Sequence, residues 1–157
     1  MTQTEPILPK EKVMVYVLRK VHGSLEVLVF DHIDYPDVNR QIPGGIIEPG
    51  ESKEKAALRE LEEESGIMNA RLIRYLGESE YVNSYQGQLQ RRYFFLIKGH
   101  EGLPNHWDHL VKSEGEDQGL AFHFYWRKVE EADIGYEQGS GLKYLTEEDI
   151  QKISWQA

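Results

Sequence analysis

The stretch at residues 45–67, GIIEPGESKEKAALRELEEESGI, decides how the rest of the chain is interpreted. Ser52 is a residue type favoured just before a helix, and Gly66 is the type favoured just after one. The residues between them are mostly Glu, Lys, Ala, Leu and Arg, which are strong helix formers. The stretch therefore predicts a short loop followed by a helix.

Three acidic side chains share one face of this predicted helix. Glu60, Glu63 and Glu64 lie at positions i, i+3 and i+4. Like charges at this spacing repel by roughly 0.2 to 0.5 kcal/mol per pair, and the helix dipole disfavours carboxylates in the last turn. Mg²⁺ and Mn²⁺ prefer carboxylate oxygen and lower the cost of crowding such groups. The alternatives are therefore a metal site and an ordinary solvated acidic face.

The residues around the glutamates favour the metal site. Ala57, Leu58 and Leu61 form a separate apolar stripe that can seat the helix on a sheet, which leaves the glutamates beside it, pointing into a cleft. Gly44 and Gly45, before the helix, let a loop approach a ligand closely and offer a backbone carbonyl to a metal. We interpret the acidic face as a site for metal and phosphate.

Glu51 and Arg59 lie eight residues apart, which is about two helical turns. The Arg59 side chain can therefore reach back towards Glu51 and fix the loop against the helix through a charge-assisted hydrogen bond.

At these spacings the chain resembles the Nudix hydrolases. Their signature is Gly, five residues, Glu, seven residues, then Arg-Glu-apolar-any-Glu-Glu-any-Gly-apolar. The chain matches it without departure at Gly45, Glu51, Arg59, Glu60, Leu61, Glu63, Glu64, Gly66 and Ile67. The resemblance implies a mixed β-sheet sandwiched between α-helices, with the signature forming a loop, helix and loop at one edge of the sheet.

The resemblance also implies an activity and roles for individual residues. The reaction is hydrolysis of a pyrophosphate bond in a nucleoside diphosphate linked to another moiety, with Mg²⁺ or Mn²⁺ as the cofactor. The implied catalytic role of Glu51 and Arg59 is a supporting one. The implied metal ligands are Glu60, Glu63, Glu64 and the backbone carbonyl of Gly45.

The group that takes a proton from the attacking water is left open between two regions. Some members of the family use a signature glutamate, here Glu63 or Glu64, and others use an acidic residue in a later loop. In this chain the later loop offers Glu114, Glu116 and Asp117. We favour Glu116 as the catalytic residue, and the alternative for all three is a solvated charge run.

Three residues are expected to contact the substrate. Arg40 can meet phosphate oxygens, and Gly44 lets the backbone approach closely. Tyr85 lies about where some diadenosine polyphosphate hydrolases carry a tyrosine. Arg91 and Arg92 can also meet phosphates, although adjacent residues of a strand face opposite sides, so at most one of them points inward.

Composition is consistent with a small enzyme. The chain has 157 residues and a mass of 18.3 kDa, which predicts a single domain at residues 1–157. A net charge of −9 argues against broad contact with DNA or anionic membranes. The absence of cysteine excludes disulfides and thiol catalysis. We expect a cytoplasmic protein whose partner is a small-molecule nucleotide derivative, and a homodimer is kept open.

The hydrophobic pattern predicts a mixed α/β or α+β fold. A second helix is expected from Thr146, because Asp149 three residues later completes a capping box. Residues 100–119 are expected to form a long acidic loop. The predicted strands are residues 12–18, 25–30, 70–77 with a continuation to 82, 90–98 and 120–126.

Two other classes of function are considered. A Nudix-fold sensor that binds a nucleotide without turnover has no need of the full set of glutamates. An acidic cation-binding protein has no need of the Gly44–Gly45 loop or of the Glu51 and Arg59 pair. The sequence therefore favours the hydrolase.

Overall fold

The computed structural model describes residues 8–84, 87–113, 115 and 117–153. In this part of the chain seven strands form one mixed sheet, with helices on both of its faces. The strands are β1 (Lys10–Val21), β2 (Ser24–His32), β3 (Gly44–Ile46), β4 (Arg71–Asn83), β5 (Gln88–Lys98), β6 (His106–Leu110) and β7 (Ala121–Lys128). The helices are α1 (Lys53–Ser65) and α2 (Glu147–Ile153), with 3-10 turns at Val129–Glu131 and Gln138–Tyr144. The expected fold class is confirmed.

The first two strands pair antiparallel and form a hairpin. Both are rich in Val and Leu, which suit a buried sheet. His22 and Gly23 join them with φ angles of 49° and 81°. Two consecutive positive φ values are the geometry of a tight hairpin turn, and Gly23 adopts it without a steric cost.

The sheet order is β4-β5-β1-β2-β7-β6, and β1 pairs with β5 in parallel. β2 pairs with β1 only over residues 18–21, and β3 pairs with the same edge of β1 over residues 12–14. The two long strands therefore separate towards one end of the sheet, and the short β3 fills the space between them. This separation creates the cleft described below.

Each face of the sheet has its own apolar core. On one face α1 buries Ala56, Ala57 and Leu61 against β1, β5 and β7. On the other face the segment after β7 and α2 pack on a cluster that includes Tyr16 and Ile153. Leu58, which the sequence placed in the apolar stripe of α1, is 36% exposed, because the packed stripe runs through Ala56 instead.

Both α-helices begin with the caps that the sequence indicates. The Ser52 hydroxyl accepts from the Lys55 N–H at 3.2 Å, and α1 ends at Gly66, where φ is 80°. At α2 the Asp149 N–H donates to Thr146 Oγ1 at 3.2 Å, and the Thr146 N–H donates to Asp149 Oδ2 at 2.9 Å. This reciprocal pair is the capping box.

The expected loop at residues 100–119 contains a strand that the sequence did not predict. β6 pairs antiparallel with β7 and forms one edge of the sheet. The hydrophobic pattern of β6 is weak, because Trp107 is its main contact with the core. The Trp107 ring stacks on Phe124. Across the described ranges, no helix has both the length and the apolar character needed to cross a membrane.

Candidate active site

The glycine pair forms most of β3 and brings the loop into contact with α1. The Gly44 N–H donates to Oε1 of Glu64 at 2.6 Å. A Cβ atom on Gly45 would overlap the carboxylate of Glu60, and one on Gly44 would overlap the carbonyl oxygen of Val13. Gly44 therefore requires glycine, because its neighbour is fixed backbone, whereas a side chain at Gly45 would force the flexible end of Glu60 to move.

Arg59 fastens this loop to the helix. Its Nε and Nη2 donate to the two carboxylate oxygens of Glu51 at 2.6 and 2.8 Å, and Nη2 also donates to the Ile46 carbonyl oxygen at 3.1 Å. The hydrogen bonds from Arg59 hold the pKa of Glu51 below its usual range. Bidentate contacts of this kind are the strong form of the arginine–carboxylate pair. They agree with the contact predicted from the eight-residue separation of Glu51 and Arg59.

The same guanidinium partly compensates the crowded glutamates. Nη1 of Arg59 donates to Glu60 Oε1 at 2.9 Å and to Glu63 Oε2 at 3.1 Å. The repulsion on this face of α1 is therefore relieved in part by Arg59. The sequence interpretation had assigned this relief to bound cations alone.

Glu64 lies in a different environment from the other two glutamates. It is 3% exposed, and burial raises the pKa of its carboxyl group well above the usual range, with the neighbouring Asp117 adding to the effect. Burial likewise raises the pKa of Glu60 to about 7, against the opposing influence of Arg59. Both carboxyl groups would be stabilised in their ionised form by a nearby cation.

The chemistry of these donors fits a hard divalent cation, because Mg²⁺ and Mn²⁺ bind carboxylate and carbonyl oxygen. Among the residues that the structure describes, no three acidic or histidine side chains are grouped closely enough to hold a metal ion as they stand. The reason is visible in the contacts: Arg59 holds Glu60 and Glu63, while Glu64 is turned to Gly44. Metal binding would therefore require Glu60 and Glu63 to exchange part of their contact with Arg59 for the cation.

The register of β3 decides which backbone carbonyl faces these carboxylates. The Val15 N–H donates to the Pro43 carbonyl oxygen at 2.9 Å, and hydrogen-bonded pairs alternate along an antiparallel ladder. The polar groups of Gly45 therefore face β1. The N–H and C=O of Gly44 point away from β1, and the N–H donates to the Glu64 carboxylate there. The carbonyl on the carboxylate side is thus that of Gly44.

A cleft of about 280 Å³ runs along β3 and joins the two faces of the sheet. On the face that carries α1, its lining is acidic. On the opposite face, its lining includes two cations and two amides. The acidic residues are Glu48, Glu60, Glu63, Glu64 and Asp117, with Arg59 among them, and the residues on the opposite face are Lys12, Arg92, Gln90 and Gln138.

The acidic loop before β7 contributes to the cleft through Asp117. Its carboxyl group lies beside Glu64, where it helps to raise the pKa of that residue, and it acts electrostatically on Glu60. Glu116, the residue that the sequence favoured as the proton acceptor, lies outside the described residues. So does Tyr85, the expected substrate contact.

The structure does not bring Arg40 to the cleft. Its Nε donates to the Tyr125 hydroxyl at 2.6 Å, and its Nη1 donates to the carbonyl oxygens of Ala132 and Asp133, each at 3.1 Å. These contacts tie the loop after β2 to the segment after β7. In this position Arg40 supports the fold instead of pointing at a phosphate.

Sequence reasoning gave no specific role to several residues of the cleft. Alternation along β5 does not separate Arg92 from Arg91, because the residues that follow them are buried on both faces of the strand. Lys12 had no signal for the same reason, since β1 is also buried on both faces. Gln90 and Gln138 carried none, since a glutamine is compatible with almost any surface position.

A chain of side-chain amides links the cleft wall to a histidine. The Ile42 N–H donates to Gln138 Oε1 at 2.9 Å, Gln138 Nε2 donates to Gln41 Oε1 at 3.1 Å, and Gln41 Nε2 lies 3.2 Å from His32 Nε2. The amide orientations make His32 Nε2 an acceptor, and burial lowers the pKa of His32. Burial and this contact with Gln41 both favour the neutral form of the His32 ring.

Comparison with known proteins identifies the family. The family model described as NUDIX domain matches residues 8–147. Ap4A hydrolase from C. elegans is 22% identical with a TM-score of 0.63, and the match covers 87% of this chain and 96% of that one. A MutT NUDIX hydrolase from Burkholderia pseudomallei is 20% identical with a TM-score of 0.60, covering 88% and 99%. The NUDIX domain of Shewanella oneidensis NrtR, complexed with ADP ribose, is 13% identical with a TM-score of 0.63, covering 90% of each chain.

No curated protein matches the chain significantly. At these identities the solved structures establish the fold, and the family model, which spans most of the 157 residues, establishes the family. The resemblance inferred from the signature is confirmed. The chain belongs to the Nudix family.

Proposed function

We propose that the chain hydrolyses a pyrophosphate bond in a nucleoside diphosphate linked to another moiety, with Mg²⁺ or Mn²⁺ as its cofactor. The observation that carries this proposal is the cleft wall on which Glu60 and Glu64 lie directly against the Gly44–Gly45 backbone. Close packing of carboxylates and backbone oxygen beside a cleft is suited to a cation that also touches phosphate.

The residues that would hold the metal are Glu60, Glu63 and Glu64. The register of β3 supports the Gly44 carbonyl as the backbone ligand, in place of the Gly45 carbonyl that the signature implied. The bound ion would supply charge stabilisation for the phosphoryl group during its transfer to water.

The remaining residues of the signature position these groups. Arg59 and Glu51 hold the loop on α1, so the backbone of β3 and the carboxylates keep a fixed relative position. The attacking water must lose a proton to a nearby carboxylate. Glu116 stays the sequence-based candidate for that role, and its neighbour Asp117, which lines the cleft beside Glu64, is the alternative that the geometry supports.

A nucleotide sensor without turnover is the second candidate. One observation favours it, namely that the NUDIX domain of NrtR has the same fold and was crystallised with ADP ribose. The complete signature of this chain favours hydrolysis, because binding alone does not require all three acidic residues at the cleft.

The proposed function is tested by a substrate panel. The panel contains nucleoside triphosphates, dinucleoside polyphosphates, ADP-ribose, nucleotide sugars and capped RNA, each assayed for phosphate-bond cleavage with Mg²⁺ and then with Mn²⁺. We expect at least one class to be cleaved, with the rate falling by at least about 100-fold when EDTA removes the cation, because the metal stabilises the transition state.

Calorimetric binding of the same compounds separates the two candidates. Tight binding of a nucleotide with no cleavage under either metal would establish the sensor and contradict the hydrolase. A cytoplasmic location and a homodimer remain predictions from the sequence, to be tested by cell fractionation and by light scattering of the purified chain.

A further inference from the structure

Arg92 is a buried cation on the face of the sheet opposite α1. The residue is 3% exposed, its Nη1 donates to the Tyr136 carbonyl oxygen at 2.5 Å, and its Nε donates to Gln90 Oε1 at 3.2 Å. The Tyr81 ring lies 3.9 Å from the guanidinium carbon. Within the described ranges, no carboxylate forms an ion pair with Arg92.

The charge of Arg92 is therefore compensated only in part, by the electrostatic influence of Glu137 and by the Tyr81 ring. Its hydrogen-bond partners are neutral oxygens, and burial lowers its pKa to about 10. A buried charge is costly unless an opposite charge and hydrogen bonds surround it. An anion that enters from the cleft would remove this cost.

Lys12 provides a second cation at the same place. Lys12 and Arg92 are direct cross-strand partners on β1 and β5, so their side chains leave the sheet on the same face. Both line the cleft, together with the amides of Gln90 and Gln138. In a chain with a net charge of −9, this pair is a local reversal of sign.

The two cations lie within a short distance of the acidic end of the cleft. Arg92, Lys12 and Ile46 form one row across β5, β1 and β3. Neighbouring strands are about 4.8 Å apart, so the backbones of Arg92 and Ile46 are about 10 Å apart. The Ile46 carbonyl oxygen already accepts from Arg59, the residue that holds Glu60 and Glu63. A row of a few linked phosphates spans this distance.

We propose that Lys12 and Arg92 form an anion subsite for a substrate phosphate that lies beyond the cleaved pyrophosphate bond. The inference rests on the proposed function and narrows it. The substrate class is then a nucleoside polyphosphate with at least three phosphates in a row, such as a nucleoside triphosphate or a dinucleoside polyphosphate. A diphosphate joined to an uncharged sugar would leave the subsite unfilled.

The first test compares two substrates on matched variants. Cleavage of diadenosine tetraphosphate and of ADP-ribose is measured for wild type, Arg92→Gln, Lys12→Gln and the control Arg91→Gln. Arg91 is the adjacent residue of β5, points to the other face and pairs with Glu80. Arg92→Gln should lower kcat/KM for the tetraphosphate by at least about 30-fold, mainly through KM, because a buried charge contact is lost.

The same variant should change kcat/KM for ADP-ribose by less than about threefold, and Arg91→Gln should leave both substrates within that range. Equal losses on the two substrates would overturn the subsite, because that pattern indicates a general structural defect. Lys12, which is half-buried, provides the variant least dependent on folding, and Lys12→Gln should show the same selective loss.

The second test does not depend on turnover. Binding of inorganic tripolyphosphate is measured by calorimetry in EDTA, so that no metal contributes. Arg92→Gln and Lys12→Gln should each weaken binding by at least about tenfold, and Arg91→Gln should not. Unchanged binding in both cleft variants would refute the subsite. A wild-type protein that binds tripolyphosphate but cleaves nothing would contradict the proposed function and leave the subsite supported.

Discussion

Arg59 is the residue on which the geometry of the candidate site depends most. One planar guanidinium contacts Glu51, Glu60, Glu63 and the Ile46 carbonyl. A lysine ammonium is a point charge and cannot reproduce this fork of donors. The arrangement explains how three acidic residues and a tight loop coexist at the end of one helix.

Gly45 offers a residue-level prediction. A methyl group at Gly45 would overlap the Glu60 carboxylate, which Arg59 holds in place. The flexible end of Glu60 can move aside, so Gly45→Ala should still fold, with the free energy of unfolding lowered by no more than about 2 kcal/mol. Cleavage should fall by at least about tenfold, because a proposed metal ligand is displaced.

The measurement is the cleavage rate under excess Mg²⁺, together with urea unfolding of the same sample. Gly139→Ala is the matched control, because a Cβ atom there meets only ordinary contacts at 3.7 Å or more. A Gly45→Ala protein with normal activity would show that Glu60 is not needed in its observed position.

At the residue scale, sequence reasoning succeeded where spacing along one helix determines proximity. Glu51 and Arg59 met as expected because both belong to one continuous loop and helix. Arg40 and Arg92 show the limit. The position of an arginine side chain depends on the segments that pack against it, and these can be far away in sequence. Asp133 accepts a hydrogen bond from Arg40, and Tyr136 accepts one from Arg92.

At the scale of elements, local signals located most boundaries. The caps at Ser52, Gly66 and Thr146 are chemical features of a few neighbouring residues, so the sequence alone predicts them. β6 was missed for the opposite reason. Its pairing with β7 determines that it is a strand, and its own pattern of two histidines, an aspartate and two apolar residues predicts little.

The anchoring of α2 supports a prediction about pH and stability. Arg74 donates to both carboxylate oxygens of Asp149 at 2.7 and 2.8 Å, and these bonds lower the pKa of Asp149 to about 2. A carboxyl group whose pKa is depressed by folding stabilises the native state above its unfolded pKa, near pH 4, and loses that contribution as pH falls towards 2. Asp149→Asn should therefore lower the free energy of unfolding by about 2 kcal/mol at pH 7.

Urea unfolding at pH 7, 5, 4 and 3 measures the difference between wild type and Asp149→Asn. The difference should be constant from pH 7 to 5 and shrink below pH 4. Glu148→Gln is the control, because the exposed ion pair of Glu148 with Lys152 at 3.7 Å should contribute less than about 1 kcal/mol. A difference that stays the same at pH 3 would show that Asp149 is not stabilised as the ionised group.

At the scale of the whole molecule, the cleft arises from pairings between distant segments. β1 lies between β5 on one edge and both β2 and β3 on the other. Neither the parallel pairing of β1 with β5 nor the insertion of β3 is visible in hydrophobic patterning, because both depend on residues tens of positions apart. The sequence therefore predicts the acidic end of the site, which is local, and leaves the opposite end to the structure.

This division also explains why the signature indicates chemistry more sharply than substrate. Apart from Asp117, the acidic end is built from residues 44–64, in one continuous stretch. The end that would contact the rest of a substrate combines Lys12, Arg92 and Gln138 from three distant segments. If the proposed subsite is correct, substrate selection resides in residues that only the assembled sheet and its 3-10 turns bring together.

The most direct test of the metal-dependent hydrolysis compares Glu64→Gln and Glu63→Gln with Glu62→Gln, all on the last turns of α1. Glu64 contacts the Gly44 N–H and Glu63 contacts Arg59, whereas Glu62 is exposed. The measurement is the rate of phosphate-bond cleavage of the best panel substrate under excess Mg²⁺, on variants whose circular dichroism matches wild type. Loss of at least about 100-fold in Glu64→Gln or Glu63→Gln, with Glu62→Gln within about threefold, is the predicted result. Full activity in both Glu64→Gln and Glu63→Gln would contradict the site.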